Sequence, residues 1–158
     1  MTGGLTLGAS GTTAHLLMEL GGVTAGSGYD QVSVLAGSTL NLTNVNLDGS
    51  LINGYTPAVK GLPLVLNGSL YFLVIGAAGH TGAFANQQAA DANSNGFNTI
   101  TIGGAEFAIS YTGNAGSSTF TGGNDVALMA IPEPCTGVML LGGFGMFALL
   151  RGIGRRSG

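Results

Sequence analysis

Residues 105–111 read Ala105-Glu106-Phe107-Ala108-Ile109-Ser110-Tyr111. In an extended chain Phe107, Ile109 and Tyr111 point one way and Glu106, Ala108 and Ser110 the other, which predicts a strand with one dry face. The same alternation, in short runs separated by Gly, Asn, Ser or Asp, extends outward over residues 4–130. It predicts further strands over Gly4–Leu7, Ala14–Leu20, Gln31–Leu35, Thr39–Leu47, Leu62–Leu66, Leu70–Ile75, Asn98–Ile102 and Asp125–Ala130. No segment of this region sustains a 3.6-residue period. In Thr39–Leu47 the apolar phase runs Leu40, Leu42 and then slips to Val45, Leu47, as an extra residue near Thr43-Asn44 would cause in a bulge.

Asp48-Gly49, Asn53-Gly54, Asn67-Gly68 and Asn95-Gly96 supply residues that tolerate positive φ and are predicted as turns. Gly82–Asn93 is predicted as a short helix or a long loop. The fold class expected is mainly β, with a body that is a parallel β-solenoid or a β-sandwich, because strand starts this closely spaced fit both. The recurring Gly-x-Thr-Leu element, Gly4-Leu5-Thr6-Leu7 and Gly37-Ser38-Thr39-Leu40, favours stacked coils.

Composition supports this punctuation. Glycine accounts for 30 of 158 residues, hydrophobic residues for 45 % and charged residues for 7 %, with a mean hydropathy of +0.44. Disorder of the charged, solvated kind requires the opposite balance. Three of the four basic residues, Arg151, Arg155 and Arg156, lie in the last eight positions. Residues 1–150 therefore carry Lys60 against seven acids, a formal net of −6. A body without a basic patch cannot release counterions from a phosphate backbone, so nucleic acid is excluded as a partner. The single cysteine, Cys135, forms no internal disulfide. The opening Met1-Thr2-Gly3-Gly4-Leu5-Thr6 has no basic start and no apolar run, unlike a secretory signal.

The character changes at Ile131-Pro132-Glu133-Pro134. Two prolines stop a strand and form a rigid, extended joint, and Pro134 can open a helix. The run that follows is Cys135-Thr136-Gly137-Val138-Met139-Leu140-Leu141-Gly142-Gly143-Phe144-Gly145-Met146-Phe147-Ala148-Leu149-Leu150, uncharged and ending at Arg151. Thr136–Leu150 makes roughly 22 Å of helix, against a hydrocarbon core of about 30 Å. Counted on to Ile153, with Arg151 snorkelling, it approaches spanning length. A single C-terminal transmembrane helix is expected, with the arginines cytoplasmic and the body outside. The domains expected are thus 1–130, a β-rich surface domain, and 131–158, a membrane tail.

A Pro-Glu-Pro joint, a short glycine-rich apolar helix and a terminal arginine cluster, in that order, resemble the PEP-CTERM sorting signal of Gram-negative bacteria. The resemblance covers Ile131–Gly158. It implies a sorting motif at Pro132, Glu133 and Pro134, an anchor at Cys135–Leu150 and a cytoplasmic stop at Arg151, Arg155 and Arg156. It further implies exosortase as the processing partner, with passage through the inner membrane to the cell surface or the exterior. Cys135 stands where many members carry a small or apolar residue. The chain would then be a substrate and not a catalyst.

The body is similar to the passenger regions that follow autotransporter-associated β-strand repeats. The matching pieces are Gly28-Tyr29-Asp30-Gln31-Val32, Asn53-Gly54-Tyr55-Thr56-Pro57, Gly82-Ala83-Phe84-Ala85-Asn86, and Phe107–Tyr111 followed by Gly122–Leu128. This similarity implies a surface β-helix or similar stack, usually the C-terminal piece of a longer protein. Such an origin would also account for the missing export signal.

Other chemistry has weaker support. Gly122-Gly123-Asn124-Asp125 resembles a calcium turn but lacks repeated copies, which makes a structural turn the expectation. His15 and His80 lie 65 positions apart with no ligand motif beside them, so no metal site is expected. Asp30 and Asp125 are expected to stabilise turns. Cys135 lacks a lipidation context. With no nucleophile elbow, phosphate loop or carboxylate pair in the sequence, neither enzyme activity nor a cofactor is expected. The alternative function is a carbohydrate-binding or polysaccharide-active β-helix module, with extracellular polysaccharide as its partner. Self-association is expected from strand edges so poor in charge.

Overall fold

A computed structural model of the protein describes residues 4–8, 11–58, 68–91 and 94–131. Among them the chain is mainly β, with ten strands, no helix and no closed barrel. Strands β1 (Leu5–Thr6), β2 (Ala14–Leu20) and β3 (Val32–Ser33) make a first circuit, and β4 (Thr39–Asn41), β5 (Val45–Leu51) and β6 (Leu70–Ile75) make a second. Each strand of the second circuit lies parallel to its counterpart in the first. Leu5 stands opposite Leu40, Leu16 opposite Leu47 and Val32 opposite Val74. β7 (Gly79–Thr81) starts a third pass on β4, with Leu40 opposite His80.

The pattern then turns antiparallel. β8 (Thr99–Ile102), β9 (Ala105–Gly113) and β10 (Asp125–Ala130) join β3 and β6 in a five-stranded sheet of order β3-β6-β10-β9-β8. The main core fills the space between this sheet and the two circuits. Leu40, Leu42, Val45, Leu47, Tyr71, Leu73, Phe107 and Leu128 are all at 0 % exposure within it. A second cluster, Phe72, Ala108, Ala127 and Met129, covers the other face of the sheet beneath Phe120 and Ile131.

Ala14–Leu20, Leu70–Ile75 and Asp125–Ala130 form over the expected residues. Three other strands are trimmed at their ends, and β9 runs two residues further than expected, to Gly113. The stretch Thr39–Leu47 is not one bulged strand. It divides into β4 and β5, which belong to different ladders, because Asn44 adopts a φ of 59° and turns the chain. Its neighbour Thr43 donates its amide to Asn41 Oδ1 at 3.0 Å. The phase slip therefore marks a corner between two sheets.

Asp48-Gly49 is not a turn either, since both residues lie inside β5. A Cβ on Gly49 would strike the Met18 carbonyl oxygen, so this glycine serves close strand approach and not positive φ. Asn53-Gly54 and Asn95-Gly96 do take positive φ at all four residues. Residues 82–91 form no helix: Ala85 donates its amide to Val45 O at 2.7 Å, and the Asn86 amide bridges both main-chain groups of Leu47. These bonds dock the segment against β5 through a turn at Ala85-Asn86, which the Gln87 amide closes on Phe84 O at 3.3 Å. The alternation in β9 is correct in phase but its polar side is not wet, because Ala108 and Ser110 are buried. The expected strand Leu62–Leu66, Asn67 of the Asn67-Gly68 turn and the transmembrane helix lie outside the described residues.

The Gly-x-Thr-Leu element aligns Leu7 with Leu40, whereas the ladder sets Leu5 opposite Leu40. A two-residue difference keeps every side chain on its own face. The two copies of the element thus lie on neighbouring parallel strands, two residues out of step.

Candidate functional site

The residues that the sequence singles out for sorting, Pro132, Glu133, Pro134, Cys135–Leu150, Arg151, Arg155 and Arg156, all lie outside the described residues. What the structure gives is the junction that precedes them. β10 is the central strand of the five-stranded sheet, bonded on one side to β6 and on the other to β9. At its end the Ala130 amide donates to Ser69 O at 3.0 Å and the Ile131 amide to Glu106 O at 3.3 Å. Ile131 is 2 % exposed. The β body is therefore held firmly up to the residue before Pro132. Gly68 contributes to this hold, because a Cβ there would strike the Ala130 carbonyl.

The other candidate residues fall into separate places. His15 Nδ1 lies 2.5 Å from Asp48 Oδ2 across the β2–β5 ladder, an exposed pair of small energetic value. His80 Nδ1 hydrogen-bonds Gly82 O at 3.1 Å, and its ring stacks at 4.9 Å on Tyr111. Among the described residues no three His, Cys, Asp or Glu side chains converge as a metal site. Asp125 accepts the Gly76 amide on Oδ1 at 3.0 Å and the Ala115 amide on Oδ2 at 2.8 Å. Both of its oxygens thus serve the backbone, and they do so across strands rather than within the Gly122–Asp125 turn. Asp30 likewise accepts the Glu19 amide, on Oδ2 at 2.9 Å.

The chain matches no family model, no curated protein and no solved structure. Reasoning about a site therefore rests on the residues themselves.

A cleft of about 480 Å³ opens on the outer side of the β2–β5 ladder, lined by Leu17, Met18, Glu19, Asp30, Asp48, Gly49 and Ser50. Parallel pairing assembles it by placing Leu17 opposite Asp48 and Glu19 opposite Ser50. The sequence carried the signal as two polar-faced runs, His15-x-Leu17-x-Glu19 and Asn46-x-Asp48-x-Ser50, but only the register shows that they meet. Three carboxylates surround the cleft, and the described residues include no Lys or Arg. Its field repels anions and thereby disfavours acidic polysaccharide.

Buried Tyr29 and Tyr71 and half-buried Tyr55 and Tyr111 pin the interior. Tyr55 and Tyr71 share a hydrogen bond at 2.8 Å, and Tyr29 Oη accepts the Phe72 amide at 3.2 Å. Tyr29 packs edge-on against Tyr71 with centroids 5.4 Å apart. Burial, reinforced by the Tyr55 hydroxyl, pushes the Tyr71 phenol well above its ordinary value. Tyr111 accepts the Phe84 amide and donates to Gln87 Oε1, both at 2.9 Å. Burial pushes its phenol up to about 12. Each of these hydroxyls is engaged by a neighbour in the packing.

Proposed function

We propose that this protein is a non-enzymatic surface or extracellular-matrix component, delivered by a C-terminal tail that exosortase processes. The observation that carries this reading is the tail itself: Pro132-Glu133-Pro134, the apolar run Cys135–Leu150 and the cluster Arg151, Arg155 and Arg156, in that order. Its position supports the reading, because the motif begins two residues after a strand that is bonded on both sides and ends at Ala130. A proline-bracketed motif between a folded domain and a weak anchor would offer an enzyme at the membrane surface a defined segment to reach. The body is a short parallel β-solenoid of two circuits capped by an antiparallel sheet. Such a scaffold suits display outside the cell.

Mass spectrometry of the surface-exposed protein in its native host tests this. The expected C-terminus lies near Pro134 and lacks Arg155-Arg156. An intact arginine end on surface-exposed protein overturns the reading. Replacing Pro132, Glu133 and Pro134 by alanine is expected to retain the protein in the inner membrane.

The cleft beside Leu17 and Ser50 favours a second reading, a module for neutral glycans. Its exposed carboxylates and hydroxyl offer hydrogen bonds without a cation for acidic sugars. A glycan array without a hit removes this reading.

A further inference from the structure

The chain carries four tyrosines, and their hydroxyls are used differently. Tyr111 accepts the Phe84 amide and donates to Gln87 Oε1, and Tyr29 accepts the Phe72 amide. Tyr55 and Tyr71 instead meet hydroxyl to hydroxyl at 2.8 Å, from positions 16 apart in the chain. Tyr71 lies in β6 at 0 % exposure, opposite Leu128 of β10. Tyr55 closes the Asn53-Gly54 turn, where its amide donates to Ile52 O at 2.9 Å, and it is only partly buried. Close by, the Ser69 amide donates to Ala58 O at 2.8 Å and Ser69 Oγ accepts the Ala58 amide at 3.2 Å. The two phenols therefore stand at the neck of the connection that leaves β5 and enters β6.

We propose that Tyr55 and Tyr71 form an oxidative cross-linking site, at which two equivalents of a one-electron oxidant join the two rings as dityrosine. The oxidant takes an electron from Tyr55, the phenol nearer to water, and the hydroxyl proton leaves to solvent. The radical spreads over the oxygen and the ring carbons ortho to it. A hydrogen atom then crosses the 2.8 Å contact from Tyr71 to Tyr55, which carries the radical to a fully buried ring. A second oxidation of Tyr55 sets two radicals side by side. One ortho carbon of each ring bonds to the other, and each ortho hydrogen passes to its phenol oxygen as the ring regains aromaticity. Two electrons have gone to the oxidant and two protons to water, and both hydroxyls remain.

In the product the two hydroxyls flank the new bond and lie against one another, so the contact already present is the one the cross-link keeps. Tyr29 is the competing partner, with its ring centroid 5.4 Å from that of Tyr71. Their planes stand at 85°, which sets the edge of one ring on the face of the other and keeps the ortho orbitals from meeting. The Tyr29 hydroxyl is moreover committed to the Phe72 amide. The link ties the exit of β5 to the five-stranded sheet, and closing a chain loop constrains the unfolded chain as a disulfide does. Residues 1–131 contain no cysteine that could serve the same purpose. The proposal uses the body alone and does not depend on how the tail is processed.

The test uses the full chain in detergent, with Cys135→Ser as background and photo-oxidised tris(bipyridyl)ruthenium with persulfate as the oxidant. The parent is expected to give a product of single-chain mass with dityrosine fluorescence. Its peptic digest should contain a fragment that joins Tyr55 to Tyr71 and is two hydrogens lighter than its parts. Tyr55→Phe and Tyr71→Phe are each expected to lose that fluorescence at least several-fold, whereas Tyr29→Phe and Tyr111→Phe retain it. The digest of the parent identifies the joined residues even where a variant fails to fold. The urea midpoint of the linked chain should lie above that of the unlinked one. A parent digest without the joined fragment, a link between Tyr29 and Tyr71, a main product of twice the chain mass, or full fluorescence in Tyr55→Phe overturns the proposal.

Discussion

Asp125 Oδ1 accepts the amide of Gly76 at 3.0 Å, tying the first residue of β10 to the residue that follows β6. Its other oxygen takes the amide of Ala115, beyond β9. One carboxylate thus joins three segments where the ladders of β10 with β6 and β9 both shift register. Asp125→Ala leaves two amides without this acceptor and is expected to cost about 2 kcal/mol, in the range for hydrogen bonds to a charged group. Asp125→Asn keeps one acceptor and sets an NH₂ group against an amide, so it recovers at most half. Urea unfolding of the two variants measures both values.

This clamp shows where sequence reasoning stops. Asp125 was identifiable as a residue that bonds to the backbone, and the surrounding glycines suggested a local turn. Its partners lie 49 and 10 positions away and depend on pairing that no local pattern encodes. Ala14–Leu20 was legible because its alternation matches one buried and one exposed face, and Leu70–Ile75 and Asp125–Ala130 because a dense apolar run coincides with two-sided packing. β7 was not, since Gly79-His80-Thr81 carries no apolar pattern and is held by main-chain bonds to β4. The cleft was hidden for the same reason as the clamp: its two walls come from β2 and β5, whose register only the folded ladder fixes.

Tyr111 predicts a pH dependence. Burial raises its phenol from 10.0 to about 12, so the fold favours the neutral form. The stabilisation is complete below pH 10, where the unfolded chain is also neutral, and is lost as pH rises through about 12. The urea midpoint is expected to stay level from pH 7 to 9 and to fall above 10. Tyr111→Phe strands the Phe84 amide and should lower stability at pH 7 by about 1–2 kcal/mol. Its alkaline limb should be shallower, with a remnant from Tyr71, whose phenol burial also raises.

Gly49 predicts a steric limit inside β5. A Cβ there meets the Met18 carbonyl oxygen and approaches Ile102 Cγ2 at 3.0 Å. Gly49→Ala is expected to destabilise by about 1–3 kcal/mol, the usual cost of overpacking, although alanine is the better residue for an unobstructed strand. Asn46→Ala, three strand positions nearer the corner, serves as the control and should cost less than about 1 kcal/mol. If Gly49 were only a turn residue, the same change would strain φ and leave Met18 untouched. Amide exchange distinguishes the two, since opening of the β2–β5 ladder should accelerate exchange along Leu16–Leu20.

Leu16 and Leu47 face each other in one ladder but differ in burial, and their truncations should differ accordingly. Leu47 is at 0 % exposure in the main core, so Leu47→Ala removes contacts on all sides and leaves a cavity. It is expected to cost about 3–5 kcal/mol. Leu16 is only partly buried, so water can occupy the vacated space, and Leu16→Ala should cost about 1–2 kcal/mol. Urea unfolding of the two variants measures the gap, and equal costs would show that burial does not set it.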